Sequence, residues 1–255
     1  MTEAIILGIV QGLTEFFPVS STAHLILLPW FFTWSGLVDT LTFDIALHAG
    51  TLFALIICFW KDWLEIIFKK RRLLWFVIIA TLPAGISGVL LNDIVENSLR
   101  SPYIICISLI LIGFLMLASE KTYKHKKTDE INLYDAIIIG FSQAIALIPG
   151  VSRSGITISS GLFRGLDRES SARFSFLLST PVIAGAVLLH IKNIINGTIG
   201  NNLELFVAGF TASALTGFFA IKFLLYFFRK YPLNIFVYYR FMLAVVIIIG
   251  IWLKG

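Results

Sequence analysis

The sequence predicts an all-α integral membrane protein with six transmembrane helices plus two re-entrant helical hairpins, arranged as an inverted-topology repeat. Three observations carry this. Of 255 residues, 58% are hydrophobic and only 14% charged, too few charges for the surface of a water-soluble domain. Six stretches come close to the ~20 apolar residues needed to cross a ~30 Å hydrocarbon layer. Two further apolar regions are interrupted by polar motifs, and each run before the break is too short to cross.

Taken in chain order, the first interrupted region is 3–34, with Glu15, Pro18, Ser20, Ser21, Thr22 and His24 in its middle. Three spans follow at about 42–60, 73–91 and 102–119. The second interrupted region is 133–165, holding Pro149, Gly150, Ser152, Arg153, Ser154 and Thr157. Spans at about 172–191, 203–228 and 235–253 complete the chain. Trp60, Tyr103 and Trp252 close the ends of three spans, as interfacial anchors do. A re-entrant hairpin accounts for each interrupted region, because broken backbone at membrane depth needs protein or a wet cavity around it.

All 255 residues read as one polytopic domain, with repeat one over about 1–119 and repeat two over about 133–255. Shifting the first hairpin by 132 residues brings Gly8 onto Gly140, Gln11 onto Gln143, Val19 onto Val151 and Ser20 onto Ser152. Three crossings separate the hairpins, so the second enters from the opposite face, the arrangement that brings broken helices together near the midplane.

Charge sets the orientation. Lys61 and Lys69 to Arg72 fill one loop; Lys121, Lys124, Lys126 and Lys127 fill another; Arg164, Arg168 and Arg173, then Lys222, Arg229 and Lys230, fill two more. The intervening turns hold little more than Arg100, Lys192 and Lys254, with Asn201 among the outward-facing residues. The rich loops are therefore cytoplasmic, and both termini face outward. The net charge of +5 belongs to this pattern and implies no nucleic-acid partner. No cleavable signal peptide is evident. Cys58 and Cys106 lie inside apolar spans and read as reduced small hydrophobes.

The chemistry lies at the two breaks. In QGLTEFFPVSSTAH, residues 11–24, Gln11 and Glu15 share a helical face, and Ser21 and His24 stand one turn apart after the break at Pro18. Ser20 or Ser21 can cap the second half-helix, and a hydroxyl–imidazole hydrogen bond between Ser21 and His24 is sterically open. The serines could be caps alone, and His24 a satisfied interior histidine. Glu15 is harder to dismiss, since an ionised carboxylate at membrane depth costs several kcal/mol unless paired, metal-bound or solvated. In PGVSRSGIT, residues 149–157, Arg153 sits at the break between Ser152 and Ser154, with Thr157 one turn on. A helix N-terminus, an arginine fork and hydroxyls together make a cradle for phosphate. A structural Arg153–Glu15 ion pair is the plainer alternative. Asp44 and His48 share a helical face, where one could support the site; solvated positions near the outer interface are the preferred reading for both. His125 and His190 read as loop or interface residues. No HExxH, CxxC, Walker or dinucleotide motif is present.

These two motifs resemble those of the bacterial undecaprenyl-diphosphate phosphatase family, also known as bacitracin-resistance proteins. Gln11 to His24 matches the family's first motif and Pro149 to Thr157 its second, and the likeness runs over nearly the whole chain. The resemblance implies a phosphatase of the bacterial cytoplasmic (inner) membrane. It would act on a polyprenyl diphosphate lipid, recycle the carrier for cell-wall building blocks, and open its site to the outer face. It also implies dependence on Mg²⁺ or Ca²⁺, with Glu15 and Gln11 as metal ligands. On this resemblance Glu15 is the essential acid, Ser21 and His24 are nucleophile and base candidates, and Arg153 binds phosphate. Gln11, Ser20, Thr22, Ser152, Ser154 and Thr157 form the substrate-binding set. Gln11 stands where some members carry Glu. Serine attack assisted by histidine, direct histidine attack and histidine-activated water all remain open, as does assembly into a homodimer. A transporter or flippase of an anionic or lipid-phosphate substrate is the competing class, because transporters share broken helices at the midplane.

Overall fold

The computed structural model describes residues 1–197 and 202–254, which form ten α-helices with two short 3-10 turns. Asn201 and the side chain of Lys192 lie outside the described residues. The helices are α1 (Thr2–Thr14), α2 (Ser21–Phe32), α3 (Leu41–Phe68), α4 (Arg71–Ser98), α5 (Pro102–Glu120), α6 (Leu133–Ile145), α7 (Arg153–Phe163), α8 (Arg168–Gly197), α9 (Leu203–Phe228) and α10 (Asn234–Lys254). Six of them, α3, α4, α5, α8, α9 and α10, are long and apolar enough to cross a membrane, so the chain is a multi-pass membrane protein. Large apolar side chains face outward along these six, among them Leu90 at 74% exposure and Phe219 at 67%. Lipid satisfies such surfaces and water does not.

The other four helices are short. At 1.5 Å per residue, the 13 residues of α1 reach only about 20 Å. They come in two pairs, α1–α2 and α6–α7, and each pair folds back. In the second pair Arg164, just past α7, pairs through Nε with Asp135 Oδ1 in the first turn of α6 at 2.8 Å. Asp135 also takes Lys126 at 3.2 Å and joins Asn132 in a reciprocal N-cap. In the first pair α1 starts against Phe43 and Phe206, near the first residues of α3 and α9. The end of α2 meets the end of α10, where Lys254 Nζ donates to the Trp30 carbonyl. The two pairs therefore have their open ends at opposite ends of the bundle.

Close helix contacts explain where these short helices rest. A Cβ on Gly8 would lie 2.5 Å from the Gly209 carbonyl oxygen, so α1 sits directly on α9. A Cβ on Gly140 would lie 2.6 Å from Ala80 Cα, so α6 sits on α4 in the same way. The breaks are pinned by rings. Phe16 packs edge-on to Phe176 of α8 at 5.4 Å, and Phe17 edge-on to Phe236 of α10 at 5.4 Å. The end of the bundle that carries the basic loops is laced by ion pairs: Arg168–Glu120 at 2.7 Å, Lys127–Asp167 at 2.5 Å, and Arg173 with Asp62.

Candidate active site

Each short pair turns through a serine held in unusual backbone. Ser20 has φ 76° and Ser152 φ 72°, a region that costs a side-chain-bearing residue on the order of 1–3 kcal/mol. Both serines cap the helix that follows: Ser20 Oγ accepts the Ala23 N–H at 3.4 Å, and Ser152 Oγ that of Gly155 at 3.2 Å. The strain aims the N-termini of α2 and α7, with their free N–H groups and partial positive charge, at one cavity. Glu15, Ser20, Ser21, Thr22, Ser152 and Arg153 all line it.

Glu15 is the hub of that cavity. Its Oε1 meets Arg153 Nη2 at 2.5 Å. Its Oε2 accepts from Ser21 Oγ at 2.7 Å and from Gln11 Nε2 at 2.9 Å. Three donors keep this buried carboxylate ionised without an aqueous shell. Arg153 Nη1 and Gln11 Oε1 are buried with no hydrogen-bond partner. A polar atom left bare in a buried site carries a penalty that a ligand would remove. Arg153 thus holds Glu15 with one arm of its fork and keeps the other free.

Some expected residues are placed differently. Ser21 and His24 are not hydrogen-bonded to each other. The Ser21 hydroxyl turns to Glu15, whereas His24 Nδ1 donates to the Ser20 carbonyl at 2.7 Å. That bond leaves His24 Nε2 as the acceptor for the Tyr239 hydroxyl, also at 2.7 Å. Tyr239 lies in α10, too far along the chain for local spacing to reveal it. Ser154 donates to the Phe17 carbonyl at 3.1 Å, and Thr157 bonds to the Arg153 carbonyl and Ser175 at 2.7 Å each. Both hydroxyls hold the two breaks and α8 together rather than lining the cavity. His48, assigned above to a solvated outer position, lines the cavity with Nε2 3.5 Å from Glu15 Oε2. Asp44 is buried and pairs with Arg100 at 3.3 Å instead of facing water.

Arg240 escaped the sequence reading altogether, and Gln143 entered it only as the repeat partner of Gln11. Arg240 in α10 is 0% exposed. Its guanidinium donates to the carbonyls of Pro18 at 3.2 Å, Gly150 at 2.8 Å, Val151 at 3.2 Å, Leu109 at 3.2 Å and Ser108 at 3.4 Å. It therefore joins both breaks to α5. A lone arginine inside an apolar span was the available signal, since intramembrane charges mark functional positions. Gln143 lines the cavity with its Oε1 unpartnered, as Gln11 has its own.

A hard divalent cation, expected from the resemblance, would have few oxygen ligands here. Among the described residues no cluster of three or more His, Cys, Asp or Glu side chains is present. Mg²⁺ and Ca²⁺, however, take oxygen ligands and often use one or two carboxylates completed by substrate phosphates and water. Glu15 is the one carboxylate that lines the cavity, and Gln11, fully buried beside it, has a free Oε1 but does not line the cavity.

Comparison with known proteins agrees with the two motifs. The profile described as bacitracin resistance protein BacA matches residues 4–246. A protein of Thermodesulfovibrio yellowstonii named undecaprenyl-diphosphatase is 59% identical, over 96% of this chain and 95% of its own length. Proteins of the same name from Moorella thermoacetica and Desulforudis audaxviator are 47% and 46% identical, each over 99% of this chain and 98% of the relative. With near-complete coverage on both sides, the chain belongs to the bacitracin resistance protein BacA family.

Proposed function

We propose that this protein hydrolyses undecaprenyl diphosphate to undecaprenyl phosphate and inorganic phosphate. It thereby recycles the lipid carrier for cell-wall synthesis and confers bacitracin resistance. The observation that carries the reading is the Ser21–Glu15–Arg153 chain at the meeting point of two helix N-termini. A nucleophile, a base and an anion fork are thus in contact in one buried cavity.

In this mechanism the diphosphate enters between the N-termini of α2 and α7, and the free arm of Arg153 takes a phosphate oxygen. Ser21 Oγ attacks the terminal phosphorus as its proton passes to Glu15 Oε2. A serine needs such an adjacent base, and here the acceptor is 2.7 Å away. The bridging P–O bond breaks and undecaprenyl phosphate leaves with the electron pair. Arg153 and the helix N–H groups stabilise the charge that develops. Glu15 passes that proton to the departing lipid phosphate and is again a carboxylate; it then takes a proton from the water that attacks the phosphoserine and returns it to Ser21 Oγ as inorganic phosphate departs. Glu15 and Gln11 would hold Mg²⁺ or Ca²⁺, which supplies neutralisation of diphosphate charge when bound. His24, with both ring nitrogens engaged, positions the α2 N-terminus against Tyr239.

The same reading places the protein in the bacterial cytoplasmic membrane, with the paired short helices as re-entrant hairpins of an inverted repeat and the cavity opening outward. Its support is the matched strain of Ser20 and Ser152 and the gathering of basic loops at one end of the bundle. Detergent-purified protein should release phosphate from undecaprenyl diphosphate with no compartment present. Movement of the intact lipid across vesicles without phosphate release would overturn the phosphatase in favour of a flippase.

A further inference from the structure

The cavity serves two reactants in turn, and they need opposite partners. The diphosphate brings acceptor oxygens and is met by donors: the free arm of Arg153 and the N–H groups at the starts of α2 and α7. Gln143 does not belong to that set. It sits in α6, is 2% exposed, and lines the same cavity as Glu15, Ser21 and Arg153. Its Nε2 donates to the Ala80 carbonyl at 3.3 Å. A carbonyl can only accept, so this contact fixes which end of the amide is which. Oε1 is the free end, buried and without a hydrogen-bond partner. An acceptor bared beside a phosphate site repels the phosphate and carries a penalty until a donor reaches it. His48 Nε2 is a second acceptor on the wall, because Nδ1 donates to the Asp44 carbonyl at 2.7 Å. That side chain is 26% exposed, so solvent can satisfy it. Gln143 Oε1 has no such recourse.

Donors arrive with the second reactant. Once Ser21 is phosphorylated its hydroxyl hydrogen is gone, and Glu15 Oε2 loses the donor it held at 2.7 Å. Water attacking the phosphoserine must aim a lone pair at phosphorus and both hydrogens elsewhere. Glu15 Oε2 accepts one of them. The other needs an acceptor that orients without taking the proton, a task that glutamine performs in GTP-hydrolysing proteins. We propose that Gln143 is the positioning residue for the hydrolytic water, accepting its second O–H through Oε1. The inference rests on the phosphatase reading and adds what directs the second step to water. In that step the bond from the water oxygen to phosphorus forms as the Ser21 Oγ–P bond breaks. One water proton passes to Glu15 and on to Ser21 Oγ. The other stays on the new phosphate oxygen, held by Gln143, which neither gains nor loses a proton. The first step, attack of Ser21 on the diphosphate, does not use Gln143.

Rapid quenching with terminally labelled undecaprenyl diphosphate reads the two steps separately. In Gln143→Met, close in shape but without the oxygen, the first turnover of undecaprenyl phosphate should keep its wild-type rate within about twofold. Release of inorganic phosphate should fall roughly tenfold, so that phosphoserine accumulates. Gln143→Asn, which withdraws the carbonyl by one methylene, should show the same split and serves if the methionine variant does not fold. Methanol gives a second readout, because it carries one O–H and needs no second acceptor. The wild type should favour water over methanol at equal concentration. In either variant the ratio of methyl phosphate to inorganic phosphate should rise roughly tenfold. A merely structural Gln143–Ala80 contact would slow both steps together and leave that ratio unchanged. The proposal is overturned by equal slowing of both steps, by wild-type phosphate release in the variants, or by no trapped phosphoserine in any form of the protein. It is also overturned by a wild type indifferent between water and methanol, or by rescue of the variants with raised Mg²⁺ or Ca²⁺, which would assign Oε1 to a cation. Phosphate release by the wild type tests the phosphatase reading, and partition in the variants tests Gln143, so the two failures are separate results.

Discussion

Replacing Arg240 by methionine tests whether one buried cation holds the two breaks in register. Its guanidinium reaches five carbonyls, and three of these, on Pro18, Gly150 and Val151, lie in the breaks. A buried carbonyl stripped of its partner costs ~1–3 kcal/mol, so the three amount to about 3–9 kcal/mol gross. Removing the guanidinium also relieves its own desolvation, worth several kcal/mol. The balance should be a net loss of about 3 kcal/mol, or a fall in Tm on the order of 10 °C for a chain of this size. The catalytic consequence should be larger than the stability change suggests. Pro18 and Val151 are within two residues of the capping serines. A ~1 Å shift of those caps would cost roughly a hundredfold in kcat/KM. Arg240→Lys should recover part of the stability and little of the activity, because an ammonium cannot fork across both breaks. Thermal unfolding followed by tryptophan fluorescence in detergent, together with phosphate release, gives both numbers. Wild-type Tm and turnover in Arg240→Met would show that the carbonyl contacts do not hold the site.

Arg153→Ala should lower kcat by roughly a hundredfold or more, the usual loss for one charge-stabilising group at ~3 kcal/mol, and Arg153→Lys should restore little; near-normal turnover in the alanine variant would place the anion cradle elsewhere. Rapid quenching with terminally labelled substrate should trap an acid-stable phosphoserine that disappears in Ser21→Ala and persists in His24→Ala. An acid-labile adduct lost only in His24→Ala would shift the attack to the imidazole. Chelation should silence the wild type, and Glu15→Gln should raise the divalent cation concentration needed for any residual activity; full activity in excess chelator would remove the metal from the site. Cysteine placed at Lys126 should resist an impermeant reagent in whole cells while one at Asn201 reacts, and the reverse pattern would invert the orientation.

The six spans were legible because lipid imposes a simple rule on length and composition, and each expected stretch lies largely within a long helix. The helices overrun the apolar stretches: α3 continues past Trp60 to Phe68, since helix persists where polar groups such as Asp62 find ion-pair partners. The breaks were legible from Pro18, Pro149 and the serines after them. The 132-residue offset paired Ser20 with Ser152, and these two share one unusual backbone conformation. The wiring of the site was less accessible. Helical spacing alone suggested that Ser21 meets His24, but it cannot show that Tyr239 already occupies the imidazole or that Glu15 reaches Ser21 around the break. His48 and Arg240 likewise become site residues only through contacts with segments distant in sequence.

The seat of α1 on α9 bears on how the chain is made. Gly209, which Gly8 touches, is synthesised about 200 residues later. At ~5–20 residues per second, the amino-terminal pair must wait roughly 10–40 s for the surface it will rest on. The second pair finds its first seat sooner, because Ala80, on which Gly140 rests, precedes α6 in the chain, although α7 still awaits Ser175 of α8. Seating therefore runs against chain order here: α1 precedes α3 to α8 in the chain yet rests on α9. Ser21 and Glu15 arrive at the cavity together, only after α9 has been inserted.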